Sequence, residues 1–292
     1  MKYRVSHTTA YKYGDPVDLA DHMLHLTPRA LPHQRVISVD RSATPAPARS
    51  TEGMDYYGNR VTWMFMDQAH ETFDVTMVSV VDVLFPLAPN AYDTPPWEAV
   101  VAAARAGGPQ AWRDAEFSFD SPMAPAEPSA GAYAAESFPP NQPILVGLLD
   151  LTARIRRDFK FKAGVTTIST PVTKVMEKRA GVCQDFTHLM ISGLRFLGLP
   201  ARYVSGYIRT KPPPGQPARR GADQSHAWVG AWMGPDHGWI DLDPTNNLIV
   251  HDEHVVLGWG RDYGDISPVR GLLLGGGKHS VTVGVDLEPL SD

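Results

Sequence analysis

A single cysteine, Cys183, occurs in the 292 residues, which excludes an intramolecular disulfide framework and fits a reducing compartment. No stretch approaches the roughly 18 consecutive apolar residues that a membrane helix requires. The opening residues, MKYRVSHTTAYKYGD, contain no apolar core of the secretory-signal kind. Neither sign of charge is in large excess. With 27 Lys and Arg against 32 Asp and Glu, the net charge is −5, so nothing electrostatic calls for nucleic acid or an anionic membrane as partner. These absences lead to the expectation of a cytoplasmic protein; no cofactor and no metal are expected.

Three zones differ in texture. Residues 1–84 are rich in Val, Thr and Tyr, and Phe73, Val75 and Met77 alternate with polar Asp74 and Thr76 between Thr72 and Leu84. Tyr57-Gly58-Asn59 is a turn signal. This zone reads as a small antiparallel β domain. Residues 85–143 are punctuated by proline and read as a surface connector carrying one short helix, Trp97–Arg105. From Ile144 to residue 292 the pattern predicts helices first, starting at Ile144, at Val172–Lys178 and at Cys183 up to Gly198. Strands follow at Ala201–Ile208, His226–Met233 and Gly238–Leu242. Helices followed by antiparallel strands indicate an α+β domain.

Cys183 falls at the start of its helix, where free backbone N–H groups and the positive end of the dipole favour a thiolate and could hold an oxyanion. A nucleophilic thiol needs a base, commonly histidine, and the base needs an orienting acceptor. Eleven histidines compete. His188 lies about 140° round the same helix and cannot easily reach the thiol. His251 and His254 flank Asp252 and Glu253, which reads as a solvated loop more readily than as a metal cluster. His7, His22, His25, His33, His70 and His279 read as ordinary surface or core residues.

His226 shares a strand face with Trp228, Gly230 and Trp232. A hairpin pairing Met233 with Gly238 puts His226 opposite Thr245 and makes Asp243 its diagonal neighbour, about 7–8 Å away between Cα atoms. Asp241 faces the same side but lies about 6.8 Å further along the strand. The register therefore prefers Asp243 over Asp241 as partner of the imidazole, and a slip of one residue would reverse the faces.

The stretches Gly181-Val182-Cys183-Gln184-Asp185-Phe186, Leu194–Tyr207 (LRFLGLPARYVSGY), Ser225-His226-Ala227-Trp228 and Gly238–Asn246 (GWIDLDPTN) resemble the bacterial transglutaminase-like superfamily. Residues 3–84 resemble the β-rich domain that precedes its core in bacteria, and Gly260–Val269 (GRDYGDISPV) the stretch that follows it. The resemblance implies a papain-like α+β core of helices packed on an antiparallel sheet. Cys183 matches the family's nucleophile, His226 its base and Asp243 its carboxylate. It implies acyl transfer from an amide of a peptide or protein through a thioester. The acceptor stays open. Water, the less demanding one, gives a peptidase or amidohydrolase, and a lysine amine gives a crosslinking transglutaminase. A non-catalytic protein-binding module that kept the fold is the alternative of another class. No calcium-loop pattern of the D-x-[DN]-x-[DN]-G kind is present, so calcium dependence is not carried over. Gln184, Trp228, Tyr207, Arg261, Asp262 and Tyr263 are the expected substrate-pocket residues, the last three on a loop expected to fold back across the cleft.

Overall fold

Alternation of apolar and polar side chains shapes the first strands. In β1 (Lys2–Leu24) Tyr3, Val5, His7 and Thr9 face inward. Its pairing register shifts between Lys12 and Val17, after which Ala20, His22 and Leu24 are the buried set. β2 (Gln34–Thr44), β3 (Arg49–Met54), β4 (Arg60–Met66) and β5 (His70–Val83) complete the sheet in the order β2-β5-β1-β4-β3. The computed structural model describes residues 1–106, 112–210 and 224–290.

The helical part follows, with α1 (Trp97–Ala106), α2 (Trp112–Ala115), α3 (Pro128–Ala135) and α4 (Ile144–Asp158). Next come β6 (Lys160–Phe161), α5 (Val172–Lys178), β7 (Ala180–Gly181) and α6 (Cys183–Phe196). β8 (Ala201–Ile208), β9 (Gln224–Trp232), β10 (Trp239–Asp243), β11 (Leu248–Ile249) and β12 (His254–Gly260) form an antiparallel sheet in the order β11-β10-β9-β8-β12. Among the described residues no helix is long and apolar enough to cross a membrane.

α6 is buried all round, from Asp185 to Arg195, as expected of a helix at the centre of a core rather than on its surface. One side packs on β8 and β9 and another on α3. Gly193 permits the second contact, since a Cβ there would stand 2.8 Å from that of Ala134.

The expected surface connector is therefore corrected. Val100, Val101 and Ala104 of α1 and Ala130, Tyr133 and Ala134 of α3 belong to the same buried cluster as α6. Arg195 ties the segment down, donating to the carbonyls of Phe117 and Ala124, to Ser121 Oγ and to the Arg261 carbonyl. The helix expected at Trp97–Arg105 is α1, but the closely spaced prolines hid α3, because no amphipathic repeat long enough to read fits between the breaks.

The end of the chain does not extend the second sheet. β13 (Val269–Gly275) and β14 (His279–Leu290) pair antiparallel with β1. Val285 and Leu287 pack with Tyr3, Val5 and Val81 of the N-terminal sheet and with Tyr207, Val255 and Leu257 of the core. The N-terminal domain also covers the edge strand β12. Gln34 donates from Nε2 to the Val256 carbonyl at 2.7 Å and accepts from Val256 N at 2.8 Å. Asn59 does the same for Trp259, at 2.7 and 2.9 Å. Side-chain amides thus satisfy an edge that would otherwise invite another strand.

Candidate active site

The chain enters α6 through Val182 (φ −119°, ψ −179°), so Cys183 is the first helical residue. Asp185 reaches back to accept the Val182 N–H at 2.7 Å and also accepts from Thr166 Oγ1 at 2.7 Å. Val182 has no side-chain acceptor, so only this half of a capping box is made. The carboxylate lies against Gly181, where a Cβ would come within 2.6 Å of Asp185 Oδ2. Burial raises the Asp185 pKa above the usual range, opposed by these hydrogen bonds. The half-buried Cys183 is thus placed at the start of a fixed helix, and its carbonyl accepts from Thr187 Oγ1 at 2.8 Å.

Against it stands β9. The hairpin register pairs Trp239 with Trp232 and Leu242 with Val229, and Met233 N donates to the Gly238 carbonyl. This is the register that pairs Met233 with Gly238. His226 Nε2 and Asp243 Oδ2 are 2.7 Å apart and both groups are buried. Asp241, on the same face, accepts Trp228 Nε1–H at 2.9 Å instead. Asp243 Oδ1 accepts the main-chain N–H of Thr245 and Asn246 at 2.9 and 3.1 Å, the local turn that Asp-Pro-Thr-Asn favours.

Burial alone would lower the His226 pKa. The hydrogen bond to Asp243, then that to the Cys183 thiol, and the charges of both outweigh it and raise the imidazole to about 10. Asp243 moves the other way: burial would raise it, but the bonds to its neighbours, led by His226, hold it far below the usual carboxylate range. With Nε2 engaged by Asp243, Nδ1 is the nitrogen left for the thiol, an arrangement suited to exchanging a proton between Cys183 and His226.

The other expected pocket residues separate. Gln184 lies at the helix start and donates to the Ile168 carbonyl at 3.0 Å, so the loop before α5, with Ile168 exposed, borders Cys183. Tyr263 packs on the core and its ring lies 6.2 Å from that of Tyr203. Its main-chain N–H donates to His188 Nε2 at 3.2 Å, seating the loop on α6. Asp262 is buried and holds the N–H groups of Met123 and Gly264, while Arg261 pairs with Asp265.

Two expectations need correction. Tyr207 is fully buried between the domains and bonded to His7 Nδ1 at 3.0 Å, so it lines no pocket. Trp228 is fully buried behind His226. Alternation gives the face of a residue but not how much lies over that face. The expected solvated loop at 251–254 is corrected as well. His254 is buried, with Nε2 3.6 Å from Asp243 Oδ2, and Asp252 accepts the Phe85 N–H. Among the described residues no group of three or more His, Cys, Asp and Glu side chains is placed to hold a metal ion.

Two family models match: residues 3–82 as the bacterial transglutaminase-like N-terminal region and residues 136–244 as the transglutaminase-like superfamily. An uncharacterized protein of Mycobacterium tuberculosis is 40% identical over 296 residues, covering 99% of this chain and 93% of that protein. Over 103 residues, 32% of this chain and 15% of the other, the chain is 31% identical to a protein-glutamine gamma-glutamyltransferase of Pseudomonas aeruginosa. A crystal structure of a candidate cysteine protease from Cytophaga hutchinsonii superposes with a TM-score of 0.77 at 21% identity, over 100% of this chain and 91% of that one, which is a likeness of fold. The chain belongs to the transglutaminase-like superfamily, its core preceded by the bacterial N-terminal region of that family.

Proposed function

We propose that the protein is a cysteine-dependent acyl-transfer enzyme that cleaves amide bonds through a thioester, with Cys183 as nucleophile, His226 as acid and base, and Asp243 as its orienting carboxylate. The observation that carries this reading is the buried 2.7 Å contact between His226 and Asp243 beside the one thiol of the chain, itself at a helix start. The Cys183 proton passes to His226, and the thiolate attacks the amide carbon. N–H groups of the first turn of α6 face the developing oxyanion. The C–N bond breaks as His226 donates its proton to the departing amine. His226 then takes a proton from water, whose oxygen attacks the thioester, releasing the acid and restoring the thiol. The 103-residue likeness to a gamma-glutamyltransferase favours a second acceptor, a primary amine in place of that water.

Intact mass after exposure to an activated acyl ester tests both readings. The wild type is expected to gain one acyl group and lose it again on standing, faster with an added primary amine if that acceptor is used, while Cys183→Ala gains none. A stable adduct that never turns over would leave a reactive thiol on a binding module. No adduct at all would sink the proposal.

A further inference from the structure

Asp243 Oδ2 is approached from three sides. His226 Nε2 and Asn246 Nδ2 each lie 2.7 Å from it, and His254 Nε2 stands 3.6 Å away on the inner side, too far for a hydrogen bond. Asn246 Nδ2 is also 3.4 Å from His226 Nε2, so the amide and the imidazole stand side by side at one oxygen. The other oxygen is fixed by the two main-chain N–H groups of the turn. The carboxylate is therefore aimed without the Asn246 side chain, which has another consequence. Its hydrogen bond stabilises the negative charge on Oδ2 whether or not His226 carries a proton, a share that at this oxygen would otherwise fall to the imidazolium alone.

We propose that Asn246 is a positioning residue that shares Asp243 Oδ2 with His226 and limits how tightly the carboxylate holds the imidazolium proton, so that this proton can be handed to a leaving group. The proposal rests on the assignment of Cys183, His226 and Asp243 above. His226, raised to about 10, is already a reluctant acid at neutral pH, and any tighter grip by Asp243 would slow the donation further. The groups that face this proton are Cys183 on α6, Asp243 on β10 and His254 on β12. His251 stacks edge-on against His254 at 5.4 Å, and Asp241 is occupied by Trp228.

The single cysteine makes the test direct, because alkylation reports on one site. Iodoacetate is an anion and reacts best while a charged imidazolium stands beside the thiolate, so its rate falls as that proton is lost. The rate is followed from about pH 5 to 11 in the wild type, Asn246→Ala, Asn246→Asp and Asp243→Asn. Asn246 is exposed in a turn, and the variants are checked for an unchanged thermal midpoint. Removing the shared donor is expected to move the alkaline limb up by about one pH unit, a tenfold tighter proton. Asn246→Asp, which adds negative charge beside Oδ2, is expected to move it at least as far. A limb that stays in place, or moves down because the imidazole has loosened, overturns the proposal while leaving the triad assignment intact, provided Asp243→Asn still abolishes the limb. A wild type that reacts like a free thiol and ignores Asp243→Asn overturns the triad assignment, and the role of Asn246 with it.

Discussion

Asp241 and Asp243 sit two residues apart on one face of β10, one serving Trp228 and the other His226. Substitutions should separate them. Asp243→Asn is expected to cost on the order of 10³- to 10⁴-fold in acyl transfer, because the amide neither stabilises an imidazolium nor fixes its tautomer. Asp241→Asn keeps an oxygen for the indole N–H and is expected to retain activity within about threefold, whereas Asp241→Ala strands that buried donor and should cost roughly 1–3 kcal/mol of stability. Turnover and urea unfolding of the three variants check this, and comparable losses of turnover in both Asn variants would contradict it. The choice of Asp243 could be read from the sequence, since strand alternation and one turn residue pair define the register. The donor on Asp241 could not, because the indole reaches it diagonally across the hairpin, and alternation carries no information on rotamers.

At the scale of elements, the strands of residues 1–84 and the helices α5 and α6 were legible because each carries its own periodicity or its own start and stop signals. α3 was not, being short and opened by Pro128 with little amphipathic contrast. The partner of β14 was equally hidden, since a strand sequence does not say which of two sheets it will join. β14 hydrogen-bonds β1 from Lys2 to Tyr13 and buries Val285 and Leu287 where the two sheets meet. Truncation after Lys278 is expected to destabilise the protein by at least roughly 3–6 kcal/mol from those two side chains alone, and to expose an edge prone to association. A truncated protein that stays monomeric with the full-length urea midpoint would show that β14 contributes little.

For the molecule as a whole, buried imidazoles set a window of pH. Burial holds His7, His22 and His188 near a pKa of about 4, below the unfolded value of roughly 6.5. The unfolded chain therefore binds more protons than the native one between about 6.5 and 4, and stability is lost across that interval as pH falls, by roughly 3 kcal/mol per imidazole. His226, raised to about 10, behaves oppositely. Its contribution is complete below about 6.5 and is lost as pH rises towards 10. Urea midpoints should accordingly peak near pH 6.5. His22 stacks on Phe73 at 4.1 Å with neither ring nitrogen hydrogen-bonded, so His22→Leu is expected to flatten the acid arm. An acid arm as steep as the wild type's in that variant would refute the assignment.

What the chain determined by itself was local: which segments alternate with period two, where a helix must start, and that a thiol at such a start could meet a histidine and a carboxylate on one hairpin face. Those properties depend on neighbours within a few residues, or across one tight turn, and the pattern of side chains records them. Tertiary structure decided what depends on distant chain segments meeting. It buried Tyr207 and Trp228, which alternation alone had left free to line a cleft. It also brought Gln34 and Asn59 onto the edge of β12, and His254 to within 3.6 Å of Asp243. Packing, not periodicity, sets these contacts, because a side chain carries no mark of which remote surface will cover it.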